Sequence, residues 1–444
     1  MHQRILIREV VVRQLFLGIS RSIQAYSKIL RKEVLSVNLF VGIDVSSKNL
    51  DVCFLDSEDT CLKEETLSND LNGANQIKET ILTYNGQFHY EKIIVGMEST
   101  SVYSFHPSTL LDNDKDLQRI GVEVVVQNPK AIHRFKGLFE EDKTDRIDAF
   151  RIADFLRFGR YNKTVIKEEK YIALQRLTRS RYQVIQQLTE CKQHFLENLY
   201  YKCNTLSNDV DTSIFGAAMM ELFTDSLSLD DIANMELEEL AFFLQKKGKG
   251  RFSDPEKLAK SIKKAIRDSY RLGKVVQHSV DMVLATYAKL VQTLKKQIKE
   301  LDKGIQALFE ILPEAQCLIS VPGIGPVYAA GIIAEIGQIE RFETQAQLAK
   351  YAGLYWKRSQ SGDFESERTP RVKTGNQYLR YYLVEAANSV RRNEPVYHEF
   401  YQKKYKEVPK YKHKRALVMT ARKLVRLVDV LLRNHQLYTS ERSV

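Results

Sequence analysis

Between Val280 and Leu308 the apolar residues fall at Val280, Leu284, Tyr287, Val291, Leu294, Ile298, Leu301, Ile305 and Leu308, spaced four and three without a break. A helix brings that spacing onto one side, and a stripe this narrow needs a second helix to cover it. The repeat is that of a coiled-coil seam. Leu174, Leu177, Val184, Leu188, Phe195 and Leu199 offer an upstream partner stripe. The seam can close within the chain or between two chains. The stretch between the stripes, about 204 to 270, is polar and contains QKKGKGRFSDPEK, which reads as a loop. Residues 166–310 are thus expected to form a coiled-coil region with an insert.

The N-terminal third follows a different period. LFVGIDV (39–45), LDVCFLD (50–56), KIIVGME (92–98) and VEVVVQN (122–128) are apolar, β-branched runs of strand length. The first two are expected to pair as a hairpin. SVYSFHPSTLL and the stretch from Thr144 to Phe158 read as helices. Strands first and β-α alternation afterwards predict a mixed α/β sheet domain over 39–165.

Two of these strands end in acids, Asp44 and Glu98. An acid at the end of a buried strand is costly unless a partner offsets its desolvation. Asp145 and Asp148 lie three apart on a predicted helix and share a face. Singly, each has an ordinary explanation: a turn cap for Asp44, a surface pair for Glu98, a helix-dipole position for Asp145. Together they form an oxygen-only, histidine-free set that suits Mg²⁺ or Mn²⁺. Two such ions can clamp the attacking and leaving oxygens of a phosphoryl transfer.

Charge indicates a partner. The chain has 444 residues and a net charge of +11. Residues 341–444 hold 22 Lys+Arg against 10 Asp+Glu, and residues 1–38 hold 7 against 2. The middle is net acidic. A basic end of this kind fits a polyanion, most simply nucleic acid, although a solvated basic surface has the same composition. The five cysteines form no C-x-x-C pair and have no histidine at zinc-finger spacing. Neither a disulfide framework nor structural zinc is expected, and a reducing cytoplasm fits. No run of 18 apolar residues exists, so no membrane partner is expected. Residues 1–38 read as a basic leader, interrupted by Arg8 and Arg13, unlike a signal peptide.

The C-terminal region, 311–444, is expected to be mainly helical. ISVPGIGPVYAAGIIAEIG (319–337) resembles a helix-hairpin-helix motif, in which Gly323 and Gly325 would let backbone N–H groups approach a phosphate. A simple helix-helix turn is the alternative. SGDFESERTPRVKTGNQYLR (361–380) is a polar stretch leading into a basic helix, with Asn376 as its N-cap.

VGIDVSSKNLDVCFLD, VGMEST and KTDRIDAFRIADF resemble the RuvC-like (RNase H fold) domain of the DEDD transposases of the insertion-sequence one-ten family, the bridge recombinases. SVPGIGPVYAAGIIAEIG, AKYAGLYWKRSQSG and KTGNQYLR resemble that family's C-terminal transposase domain. The likeness covers most of residues 39–400. It implies a DNA transposase/recombinase, cytoplasmic and nucleoid-associated, that excises and inserts an insertion sequence. It implies that Asp44, Glu98, Asp145 and Asp148 are catalytic metal ligands and that Ser361 is the catalytic nucleophile. It also implies a guide RNA encoded by the element, and a homodimer that assembles into a tetramer. One departure is Tyr355, where many relatives carry proline.

The expected chemistry is attack by Ser361 on a DNA phosphorus, with Gly362 allowing close backbone approach. Lys357, Arg358, Lys373 and Arg380 are candidate nucleic-acid contacts, and Ser359 is a competing nucleophile. The alternative is a RuvC-like, metal-dependent junction nuclease that uses water and forms no covalent intermediate. VGIDVSSKN also resembles the first phosphate loop of actin-type kinases, but no second Asp-x-Gly loop follows in a suitable place.

Overall fold

The computed structural model describes residues 38–99, 102–139, 145–159, 161, 167–224, 228–356, 360–361, 364–365 and 374–440. The basic leader, apart from Asn38, lies outside them. Two compact units separate at residues 166/167.

The first unit is built on β1 (Asn38–Val45), β2 (Asn49–Leu55), β3 (Cys61–Ser68), β4 (Lys92–Glu98) and β5 (Val122–Gln127). They form one mixed sheet in the order β3-β2-β1-β4-β5. β1, β2 and β3 pair antiparallel, whereas β4 and β5 run parallel to β1. Helix α1 (Leu71–Phe88) supplies the crossover to β4, and α2 (Phe105–Asn113) and α3 (Lys115–Arg119) lead to β5. α4 (Pro129–Lys136) and α5 (Asp145–Arg157) follow. The mixed α/β domain is as the strand periodicity indicates, with β3 added at the edge.

Strand alternation divides the sheet into two faces. Leu39, Val41, Ile43, Ile93, Val95 and Met97 pack against Ile77 and Ile81 of α1 on one side. Phe40, Cys53, Leu55, Ile94 and Val125 pack on Ala149, Ala153 and Leu156 of α5 on the other.

The second unit is helical. α6 (Glu169–Lys202) carries the upstream apolar stripe. α7 (Leu206–Asp209), α8 (Ala217–Thr224), α9 (Leu229–Asn234), α10 (Leu237–Lys247) and α11 (Pro255–Asp268) occupy the stretch expected to be a loop. That expectation is corrected: these helices share a core with α6 and α12 (Lys274–Glu310), through Met219, Leu240, Leu244 and Ile262. The longer helix-free connections described there are Val210 to Gly216 and Gly248 to Asp254, and Asp254 caps α11 by accepting from the Lys257 N–H.

α6 and α12 run antiparallel within this chain. Arg181 pairs with Asp302, the His194 ring stacks on Tyr287 at 5.4 Å, and Lys202 pairs with Asp281 at 2.8 Å. Leu188, Phe195 and Leu199 meet Val280, Leu284, Val291 and Leu294 along this contact. α13 (Ala315–Ile319), α14 (Pro326–Ile336), α15 (Gln345–Tyr351), the two-residue strands β6 (Gln360–Ser361) and β7 (Phe364–Glu365), α16 (Gln377–Asn393), α17 (Pro395–Glu407) and α18 (Lys412–Arg433) complete the unit. No helix among the described residues is long and apolar enough to cross a membrane.

Candidate active site

The acid site begins with a register. β1 and β4 are parallel, and Ile43 pairs with Met97. The next residues, Asp44 and Glu98, therefore end adjacent strands, and alternation turns both toward the α5 face. Two residues upstream on each strand stand Gly42 and Gly96. A Cβ on Gly42 would meet the Ala149 carbonyl oxygen and the Ala153 nitrogen, and one on Gly96 would lie 2.6 Å from Leu156 Cδ1. The two glycines let α5 lie directly on the strands. That close seat brings the first turns of α5 toward the strand ends that carry the acids.

α4 supplies the opposing charge. Pro129 opens it, and the Asn128 side chain caps it by accepting from the Lys130 N–H. Ile132 packs with Ile152 and Phe155 of α5, which fixes α4 against α5. At its last turn, the Lys136 ammonium lies 3.3 Å from Glu98 Oε1 and 2.9 Å from Asp148 Oδ1. One cation thus joins a strand acid to a helix acid. All three side chains are at least three-quarters buried.

A further acid was not anticipated. Asp51 of β2 is the direct partner of Asp44 across the sheet, so the two share a face. Asp51 is buried and accepts a 2.6 Å hydrogen bond from the Thr66 hydroxyl. Asp145 is the first residue of α5, three before Asp148. Its side chain lies outside the described residues.

The donor chemistry here is of the kind a hard divalent cation takes. The donors are carboxylate oxygens, and a cation, the Lys136 ammonium, already bridges two of them. Asp44, Glu98, Asp145 and Asp148 are the ligand candidates.

The second unit holds the base of the segment that carries Ser361. Gly353 and Gly375 cross there. Both have positive φ, +69° and +107°, and a Cβ on Gly375 would come 2.5 Å from the Gly353 nitrogen. The Asn376 N–H donates to the Tyr351 carbonyl at 2.6 Å, and Asn376 Oδ1 caps α16 by accepting from the Tyr378 and Leu379 N–H groups. Arg380 Nη1 donates to the Ala352 and Thr374 carbonyls, tying both ends of the segment together. Arg380, expected at a phosphate, is placed at the base of this segment.

Beneath this crossing sits Glu335, fully buried on α14. Arg179 donates to both of its oxygens, at 2.7 and 2.9 Å, and Gln175 and Asn376 donate to Oε2. Burial pushes the Glu335 carboxyl up, but Arg179 and Lys167 more than offset this, and it lies below the usual glutamate value. Lys167 donates to the Ala334 and Glu335 carbonyls. Burial lowers its ammonium to about 7, against the opposing influence of Glu335.

Ser361 pairs through its backbone with Phe364 in the β6–β7 hairpin. Its side chain, and Lys357, Arg358, Ser359, Gly362 and Lys373, lie outside the described residues. Gly323, with φ +97°, packs against α16, where a Cβ would come 2.9 Å from the Val390 nitrogen, whereas Gly325 caps α14 with open space beside it. Tyr355 is exposed.

Residues 41–201 match a family model described as transposase, and residues 315–402 match one described as transposase of the IS116/IS110/IS902 family. The chain belongs to the IS110 family of transposases. It is 25% identical over 321 residues to the IS116 uncharacterized 44.8 kDa protein of Streptomyces clavuligerus, covering 72% of this chain and 78% of that one. It is 22% identical over 327 residues to the mini-circle putative transposase for IS117 of Streptomyces coelicolor, covering 72% and 76%. The IS110 uncharacterized 43.6 kDa protein of the same organism is 29% identical over 163 residues, covering 36% and 39%. Among solved structures, T. thermophilus RuvC in complex with Holliday junction substrate covers 28% of this chain and 98% of that one, at 13% identity and a TM-score of 0.20. The chain is a DNA transposase, and both the carboxylate site and the base of the serine segment lie within or beside the matched regions.

Proposed function

We propose that this transposase excises and inserts its element by attack of the Ser361 hydroxyl on a DNA phosphorus. A bond forms between Ser361 Oγ and phosphorus, and the bond from phosphorus to one strand's deoxyribose oxygen breaks. The serine proton is given up, and the departing oxygen leaves as a hydroxyl. A hydroxyl from the partner DNA end then attacks the phosphoserine and releases Ser361. Each step exchanges one phosphate ester for another, so no ATP is consumed. Asp44, Glu98, Asp145 and Asp148 would hold Mg²⁺ or Mn²⁺, which when bound neutralises phosphate charge and eases ionisation of a nearby hydroxyl.

The protein's own contribution is placement. Gly42 and Gly96 seat α5 so that Asp148 and Glu98 converge, and Asn376, Arg380 and Glu335 fix the base of the serine segment. Serine and acids meet across subunits of a dimer or tetramer. An RNA from the element pairs with donor and target DNA. The basic C-terminal region, including the exposed Lys412, Lys414 and Arg415 at the start of α18, supplies phosphate contacts. α6 and α12 pair as a coiled coil, and the turn at Gly323 and Gly325 approaches DNA phosphate as a helix-hairpin-helix does.

The observation that carries the reading is the meeting of Glu98 and Asp148 at one cation in a chain of this family. It is tested by assaying recombination of a donor and a target plasmid with wild type and Ser361→Ala. The variant is expected to bind DNA and to give no recombinants; wild-type recombination by Ser361→Ala would refute the serine assignment.

A further inference from the structure

Lys136 has no place in the chemistry above, yet it occupies the point where two of the four acids converge. Its ammonium touches Glu98 Oε1 at 3.3 Å and Asp148 Oδ1 at 2.9 Å, and its side chain is only 21% exposed. A divalent ion binding these carboxylates competes with the ammonium for the same two negative charges, at the shorter distances of metal coordination. Two cations cannot share them at close range, because the repulsion between them acts in a partly desolvated site. The lysine stem is flexible enough to move the ammonium away.

We propose that Lys136 is the resident counter-ion of the acid site: it holds Glu98 and Asp148 together when no metal is bound and must leave them when one enters. The inference rests on the metal-binding reading of the four acids and adds a cost that the chain imposes on its own metal. Lys136 sits on α4, whose Lys130 and Arg134 are exposed. The released ammonium therefore stays on a basic helix, clear of the apolar core. An ordinary structural ion pair would stabilise α4 against α5 and leave metal affinity unchanged.

The test is Mn²⁺ binding to the full chain, followed by electron paramagnetic resonance, in wild type, Lys136→Gln and Lys136→Arg. Thermal melts of the metal-free proteins serve as a second readout. Lys136→Gln is expected to bind Mn²⁺ at least about five-fold more tightly than wild type, the lower end of typical coupling between two sites. Its metal-free form is expected to melt lower, and Mn²⁺ to raise its melting point more than it raises that of wild type. Lys136→Arg, which keeps the charge, is expected to stay within about two-fold of wild type in affinity, well below that coupling range. Wild-type binding that Lys136→Gln does not tighten would overturn this inference alone, as would equal tightening in Lys136→Arg. Absence of binding in wild type and Lys136→Gln alike would overturn the metal reading, and this inference with it.

Discussion

Gly42 of β1 lies against Ala149 of α5 so closely that no side chain fits between them: a Cβ there would strike the Ala149 carbonyl oxygen and the Ala153 nitrogen. Backbone cannot yield as a flexible side chain can. Gly42→Ala is therefore expected to destabilise the protein by about 1–3 kcal/mol and to lower recombination beyond what the stability loss accounts for, because α5 carries Asp148. Chemical denaturation and plasmid recombination below the melting transition check this.

Asp148→Asn and Glu98→Gln each remove one carboxylate charge from the pair that Lys136 bridges. Each is expected to reduce recombination about 10²-fold or more, the scale of losing one electrostatic group at a reacting centre. DNA binding in a gel-shift assay should change little.

Glu335 is fully buried and held by a bidentate Arg179. Arg179→Met would leave its charge with weaker partners, at a cost of about 3 kcal/mol. Denaturant unfolding measures this directly. Because Glu335 also accepts from Asn376, the variant should lose recombination activity even under conditions where it stays folded.

Lys167 gives a pH signature. Burial lowers its ammonium from 10.5 to about 7. Below about 7 the group is charged in both folded and unfolded chains. Between about 7 and 10.5 the unfolded chain holds the proton and the folded chain does not, so the Lys167 contribution to stability rises with pH across that window. Unfolding free energies of wild type and Lys167→Met at pH 7 and 9.5 should diverge in favour of wild type as pH rises. Parallel curves would refute the assignment.

The meeting of Glu98 and Asp148 was within reach of the sequence because strand ends and helix starts are local signals. Glu98 and Asp148 needed only a strand end and a helix to meet at Lys136, while Asp44 ends the adjacent strand on the same face. Asn376 was readable as a cap because its side-chain preference is local. Lys136 was not, since a lysine in a helix's last turn normally complements the dipole. Ile132, one turn before Lys136, packs on Ile152 and Phe155, a tertiary contact that the local sequence does not announce. Asp51 lay in a recognised strand, but its meeting with Asp44 depends on the hairpin register. β3 was hidden because CLKEETLS is a polar edge strand with a half-exposed pattern. The helices of the insert were missed although their signals were present. Leu258, Ala259, Ile262, Ala265 and Ile266 follow Pro255 at helical spacing, and Ser228 with Asp231 forms a capping box. The charged run QKKGKGRFSDPEK spans a turn between two helices, and its Gly and Lys content hides the helix ends on either side.

The most direct test of the central claim is to incubate wild type and Ser361→Ala with donor DNA and divalent metal, denature, digest, and map DNA-linked peptides by mass spectrometry. The expected result is a nucleotide joined to Ser361 in wild type and absent from the variant. Cleaved DNA from wild type with no protein-linked nucleotide would contradict it and leave a nuclease that uses water.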